Sequence, residues 1–143
     1  MLLKIKKLDP RAKVPIRGSK EAAGYDIHYT GFYSEVLKPG QSITLDCGFA
    51  LEIPQGYYIA IVPRSSMGKK GIIIKNSPGT IDSDYRASFK VMLQNIGDES
   101  YTIYSGDRIA QMILHKYETM EFEEVDELSL TERGEGGFGS TGN

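Results

Sequence analysis

Tryptophan is absent and cysteine occurs once, at position 47. A single cysteine closes no intramolecular disulfide, so the fold has to hold by its core. The place of Cys47 in the alternating run Ile43, Leu45, Cys47 reads as a small core residue rather than a nucleophile. A reducing, cytoplasmic setting fits that usage. Long apolar runs are missing too, because stretches such as Tyr57 to Val62 and Gly71 to Ile74 fall far short of the ~18–20 residues a bilayer crossing needs. Lys4, Lys6 and Lys7 interrupt the only apolar start, so neither a membrane span nor a signal peptide is expected. Excess charge of one sign is also lacking. A formal net charge of −2 gives no electrostatic basis for binding duplex nucleic acid.

What is present is one domain's worth of ordinary globular sequence. The chain has 143 residues, 40% hydrophobic and 25% charged, which fits neither disorder nor a disulfide scaffold and suffices for a real core. The charge is unevenly spread: residues 1–20 carry seven Lys or Arg against the single acid Asp9, and residues 118–127 carry six acids and no base. Two solvated faces account for this, as does a contact between subunits of opposite local charge.

The hydrophobic period is two. Ile43-Leu45-Cys47, Phe49-Leu51-Ile53, Phe89-Val91-Leu93 and Tyr101-Ile103 all alternate, the pattern of half-buried strands. Turn signals at Pro39-Gly40, Pro54-Gln55-Gly56, Pro78-Gly79, Gly97-Asp98 and Ser105-Gly106-Asp107 cut them short, which predicts an all-β sandwich, jelly roll or barrel. One short helix is expected after Pro63, capped by Ser65 or Ser66 and stopped at Gly71. The β domain spans 1–132. From 133 to 143 the chain is a glycine-rich arm, in which five of the last ten residues are glycine. Such a segment buries no side chains and orders only against a ligand or partner. Phe138, set among those glycines between Arg133 and Ser140-Thr141, suggests a flap carrying one stacking ring and several phosphate ligands rather than a frayed end.

Four further segments combine chemistry-bearing residues, and each has a bland reading beside the functional one. Gly79 to Tyr85, between apolar Ile72–Lys75 and alternating Ser88–Asn95, should form a hairpin whose aspartates either do chemistry or simply bond the turn backbone. Pro63 to Gly68 offers a guanidinium, two hydroxyls and amides suited to phosphate oxygens, or a capped turn. Ala22 to Asp26 reads as a loop, and Gly106 to Gln111 as a turn leading into an edge strand. His28 and His115 lie among strand residues and read as ordinary surface or hydrogen-bonded histidines, and Met67, Met92, Met112 and Met120 as packing residues.

Taken together, AAGYDIHY (22–29), PRSSMGKKG (63–71), NSPGTIDSDYRA (76–87), GDRIAQMI (106–113) and RGEGGFGSTG (133–142) occur in the order and spacing of the trimeric dUTP diphosphatases. The chain resembles that family over nearly its whole length. The resemblance implies a jelly-roll-like β fold, a homotrimer with three active sites shared between subunits, and Mg2+-dependent hydrolysis of dUTP to dUMP and pyrophosphate. That reaction keeps uracil out of DNA and supplies dUMP for thymidylate synthesis. The resemblance makes Asp82 the carboxylate that deprotonates the water attacking the α-phosphorus, and Tyr85 the ring that lies against deoxyribose and excludes a 2′-hydroxyl. Asn76, Thr80, Ile81 and Lys90 would line the uracil slot. Arg64, Ser65, Ser66 and Gln111 match phosphate-side positions, and Asp26 an acid that holds the metal through its waters. Arg133, Phe138, Gly139, Ser140 and Thr141 match a closing arm that stacks on uracil and binds the β- and γ-phosphates.

Two positions depart from the commonest family pattern: Ser66 and Ala87 stand where glycine is frequent. At a positive φ, alanine 87 would cost about 1 kcal/mol and shift the uracil hairpin. Arg-Ser-Ser also resembles the dCTP deaminases of the same fold, but their proton-shuttling glutamate corresponds here to Met92, which supplies no acid or base. A binding protein that uses dUTP as a switch is the alternative outside enzymology. Release of ammonia from dCTP, or binding without turnover, would identify either.

Overall fold

A computed structural model describes residues 1–137. Within them the chain is almost entirely β, with strands β1 (Lys4–Lys7), β2 (Ile16–Arg17), β3 (Tyr25–His28), β4 (Glu35–Leu37), β5 (Ser42–Asp46), β6 (Phe49–Glu52) and β7 (Tyr57–Val62). A one-turn helix α1 (Ser65–Gly68) follows, then β8 (Ile72–Ile74), β9 (Gly79–Ile81), β10 (Lys90–Asn95), β11 (Tyr101–Ile103) and β12 (Arg108–Lys116). They form an antiparallel five-stranded sheet in the order β2-β3-β12-β7-β9, a three-stranded sheet β5-β10-β8, and the pairs β1-β6 and β11-β4. This is the all-β architecture expected from the period-two pattern, in the jelly-roll-like form that the resemblance implies.

The alternating side chains meet in one core. Ile27, Leu45, Phe49, Ile59, Ile72, Phe89, Leu93 and Ile109 are almost wholly buried, each contributing about 1.5–3 kcal/mol of transfer free energy. Phe49 and Phe89 stack at the centre with ring centroids 5.0 Å apart. Cys47 lies in this core, as its place in the alternation implies.

The expected helix is present but differently capped. Arg64 occupies the N-cap in an extended conformation, with no side-chain capping bond. Ser65 and Ser66 are instead the first helical residues, and the Ser66 hydroxyl accepts from Arg64 Nη1 at 3.3 Å. Gly71 ends the turn at φ 71°, where an added Cβ would stand 2.7 Å from the Gly97 backbone. The expected hairpin is more elaborate than a simple turn. β8 and β10 do pair antiparallel, but the excursion between them detaches and adds β9 to the edge of β7 in the other sheet.

Two packing expectations fail locally. Met67 is buried, whereas Met92 is partly exposed and Met120 largely so. His28 is buried rather than a surface residue, and its Nδ1 has no partner among the described residues. Burial holds its pKa below the ordinary value, reinforced by Lys13 and opposed by Asp26. His115 stacks on Tyr58, with centroids 5.2 Å apart. Residues 117–137 contain no helix or strand.

Candidate active site

Asp26 sits on β3 with only 3% of its surface exposed. A buried carboxylate has to be paired and hydrogen-bonded, and three donors converge on this one. Arg64 Nε reaches Oδ1 at 3.1 Å, Gln111 Nε2 reaches Oδ1 at 3.2 Å and Arg108 Nη1 reaches Oδ2 at 3.2 Å. Arg64 also donates from Nη1 to the carbonyl of Arg108 at 3.4 Å. The segments at 22–29, 63–71 and 106–113 are therefore assembled around one carboxylate.

The geometry of β12 explains how. Arg108 and Gln111 are three residues apart, which on a regular strand puts them on opposite faces. Against β3, however, Arg108 pairs with His28 and Ala110 with Ile27, so Ile109 is an extra residue in a bulge. Ile109 and Ala110 both turn inward, the alternation slips by one, and Arg108 and Gln111 emerge on the face of Asp26. Gly24 completes the arrangement, since a Cβ there would lie 3.1 Å from Gln111 Cδ. Arg108 escapes a reading of the sequence by alternation, and only the bulge reveals it.

Asn76, Thr80, Asp82 and Tyr85 lie exposed on the excursion around β9, where Ile81 is half-buried, and Lys90 is exposed at the start of β10. Asp82 opens a turn closed by Tyr85 N–H to its carbonyl at 3.2 Å. It lines an open polar cleft of about 580 Å³ with Gln55, Ser83, Asp84, Arg86 and Tyr117. This group stands apart from the Asp26 cluster within one chain. Ile81 pairs with Ile59 on β7, three residues before Val62, whose partner is Gln111. At ~3.3 Å per residue and ~4.8 Å per strand, Ile81 and Gln111 are roughly 14 Å apart. Asp82 continues away from them.

Ser65 is exposed at the start of α1, beside the Asp26 cluster. Arg133 is exposed and donates from Nε to the Gly136 carbonyl at 3.1 Å. Phe138, Gly139, Ser140 and Thr141 lie outside the described residues.

A family model described as dUTPase matches residues 10–142. The chain belongs to the dUTPase family. It is 48% identical over 143 residues to the deoxyuridine 5'-triphosphate nucleotidohydrolase of Nautilia profundicola, covering 99% of both chains. It is 43% identical over 150 residues to that of Escherichia phage T5, again covering 99% of both. Among solved structures, a mutant dUTPase of Staphylococcus bacteriophage 80alpha with dUpNHpp superposes with a TM-score of 0.90 at 29% identity, covering 99% of each chain. A mutant dUTPase from phage phi11 of S. aureus, described with a coordinated structural Mg(II) ion, superposes at 0.80 with 25% identity, covering 89% of this chain and 98% of the other.

Among the described residues, no three His, Cys, Asp or Glu side chains gather to hold a metal. Three of the roughly four acceptor positions on the Asp26 carboxylate are taken, leaving one. That donor set does not fit direct ligation by several carboxylates. It fits an ion that keeps its waters and leans on substrate phosphates, as Mg2+ does.

Proposed function

We propose that the protein hydrolyses dUTP to dUMP and pyrophosphate, by attack of water on the α-phosphorus, in sites shared between the subunits of a homotrimer. Membership of the dUTPase family over almost the whole chain carries the reading of the reaction. Arg64, Ser65, Ser66 and Gln111 are the phosphate side of the site. Asp82 is the base, Tyr85 the sugar platform, and Asn76, Thr80, Ile81 and Lys90 the uracil slot. The arm, with Arg133, Phe138, Gly139, Ser140 and Thr141, closes over the nucleotide. Hydrolysis at a phosphoanhydride is mainly alignment of water and neutralisation of developing charge. Mg2+ bound with the triphosphate would supply part of that neutralisation, and the free acceptor position of Asp26 would hold it through water.

Register supports the shared site. A base and the phosphate ligands that serve one phosphorus have to lie within about 3 Å of it or of its water. The roughly 14 Å and more between Asp82 and Gln111 in one chain leaves that to Asp82 of one subunit and the Asp26 cluster of another. The segment after β12 adds to this, because Phe122, Leu128 and Leu130 are exposed among acids, while Leu3, Ile5 and Met112 line an apolar groove on whose strand β1 the bases Lys4, Lys6 and Lys7 are exposed. Exposed apolar residues on this scale point to a protein partner. A deaminase reading has no support, since Met92 on β10 cannot shuttle a proton.

Incubation with dUTP and Mg2+ in 18O-water, followed by phosphorus-resolved product analysis, tests the reaction. The expected result is dUMP carrying the label and unlabelled pyrophosphate. Label in pyrophosphate, or release of orthophosphate, would overturn attack at the α-position.

A further inference from the structure

We propose that Arg86 is a positioning residue for the reaction, clamping the turn that carries Asp82 so that its carboxylate stays aimed at the attacking water. The inference rests on the reading of Asp82 as the base acting on dUTP, and it adds a residue that touches neither the nucleotide nor the water.

Arg86 is exposed and stands among acids. Asp82 and Asp84 line the same cleft with it, and its charge adds to that of Lys4 in holding the Glu52 carboxyl below its ordinary pKa. Among the described residues it nevertheless forms no ion pair with any of the three, and Glu52 is taken by Lys4 at 2.9 Å. Its Nη1 donates instead to two main-chain carbonyls, that of Ser83 at 2.6 Å and that of Tyr85 at 3.1 Å. A cation that passes over nearby carboxylates for carbonyls is shaping backbone rather than balancing charge. Ordering so long an exposed side chain costs conformational entropy that offsets much of what such bonds contribute, so the clamp acts on local geometry more than on the stability of the fold.

The two carbonyls lie on either side of Asp84, in the turn that Asp82 opens and that Tyr85 closes with its amide on the Asp82 carbonyl. Asp82 depends on that turn. The pairing of β9 with β7 ends at Ile81, and no donor among the described residues holds the Asp82 carboxylate, so its own backbone sets its direction. A base that has to lie within about 3 Å of one water tolerates little freedom there, since a displacement of about 1 Å can cost 10²-fold in rate. The ring of Tyr85 is tied separately, to the carbonyl of Ser88. Arg86 is therefore the side chain that fixes the base relative to the sugar platform.

The experiment measures kcat and KM for dUTP, and the affinity for dUpNHpp at fixed Mg2+, for the full-length wild type, Arg86→Ala and Arg86→Lys, and for Arg86→Ala in an Asp82→Asn background. Turnover of dUTP by the wild type and its loss in Asp82→Asn alone test the reading of substrate and base separately. For Arg86→Ala the expected result is a kcat lower by about 10- to 100-fold, with the affinity for dUpNHpp held within severalfold, which also shows that the variant is folded. Lysine should recover part of the loss, since its ammonium reaches the carbonyls without the planar fork. In the Asp82→Asn background the alanine should cost little further, because a clamp has nothing to aim once the base is gone, and a double-mutant cycle reads that coupling. A kcat unmoved in Arg86→Ala, an affinity for dUpNHpp that falls as far as kcat does, or a penalty of the same size in the Asp82→Asn background overturns the proposal.

Discussion

The hydroxyl of Tyr85 donates to the main-chain carbonyl of Ser88 at 3.0 Å. Ser88 is itself anchored, because its hydroxyl donates to Asp46 Oδ1, which also accepts the Gly48 amide at 2.7 Å. The next residue is Phe89, stacked on Phe49 in the core. The exposed ring of Tyr85 is thereby braced, through three residues of backbone, to the most buried part of the protein. A platform that reads the sugar has to be held in this way, since a ring free to swing would yield to a 2′-hydroxyl instead of clashing with it.

Tyr85→Ala should therefore raise kcat/KM for UTP relative to dUTP by about tenfold or more. Tyr85→Phe keeps the ring and loses only the brace, and should shift the same ratio by less. Steady-state turnover of both nucleotides by the three proteins is the measurement. A ratio unmoved in Tyr85→Ala would place the reading of the 2′-position elsewhere.

Replacing Asp82 by Asn should leave binding of dUpNHpp within severalfold while lowering kcat by ~10²–10⁴, the usual contribution of a positioned general base. Asparagine fills the same exposed turn but takes no proton from water. Retention of more than about a tenth of the wild-type kcat would make Asp82 a turn residue and move the base to another carboxylate.

Much of this was legible in the sequence, for physical reasons that also mark the limit. Alternation located β5, β6, β10 and β11, because strands with one buried face have to alternate. The segment at 106–111 read as a turn leading into an edge strand, but β12 lies inside the five-stranded sheet between β3 and β7, and its extra residue Ile109, which brings Arg108 round to Gln111's face, leaves no signature in a single apolar-polar pattern. The helix after Pro63 was legible and its cap was not, because Arg64 takes the N-cap position and engages the Ser66 hydroxyl two residues on. The excursion at 75–89 looked local, but β9 pairs with β7, a long-range pairing beyond the reach of turn residues. The burial of His28 was likewise hidden, since Lys13 and Arg108 come beside it only in the folded chain.

Burial pushes the Cys47 thiol up from 9.0 to about 12, with the charge of Asp46 adding to it. Between those values the unfolded chain gives up a proton that the fold retains. The native state then binds more protons, so stability falls as pH rises, by up to about 1.4 kcal/mol per pH unit from this group, and is intact below pH 9. Cys47→Ala removes that dependence at the expense of a small cavity. Urea denaturation at pH 8, 9.5 and 10.5 should show the wild type losing about 1–2 kcal/mol more than the variant over this range. Parallel slopes would mean that the thiol is not shielded in the native state.

A chain ended after Thr131 should still fold and assemble, because every helix and strand lies at or before Lys116 among the described residues and the removed glycines contribute almost nothing to a core. It should nevertheless lose most of its dUTP turnover if, as proposed, the arm supplies the stacking ring and the β- and γ-phosphate ligands. Asp82→Asn in a full-length chain gives the complementary defect, an intact arm without a base. If each site draws its base and its arm from different subunits, co-refolding the two inactive proteins produces mixed trimers in which some sites hold an intact Asp82 beneath an intact arm. Activity should then rise well above either parent, with the size-exclusion mass unchanged. Mixed trimers verified by mass but with no recovered activity would require arm and base to come from one chain. In that case the separation between Asp82 and the Asp26 cluster would have to be closed by a large movement of β9 rather than by a second subunit.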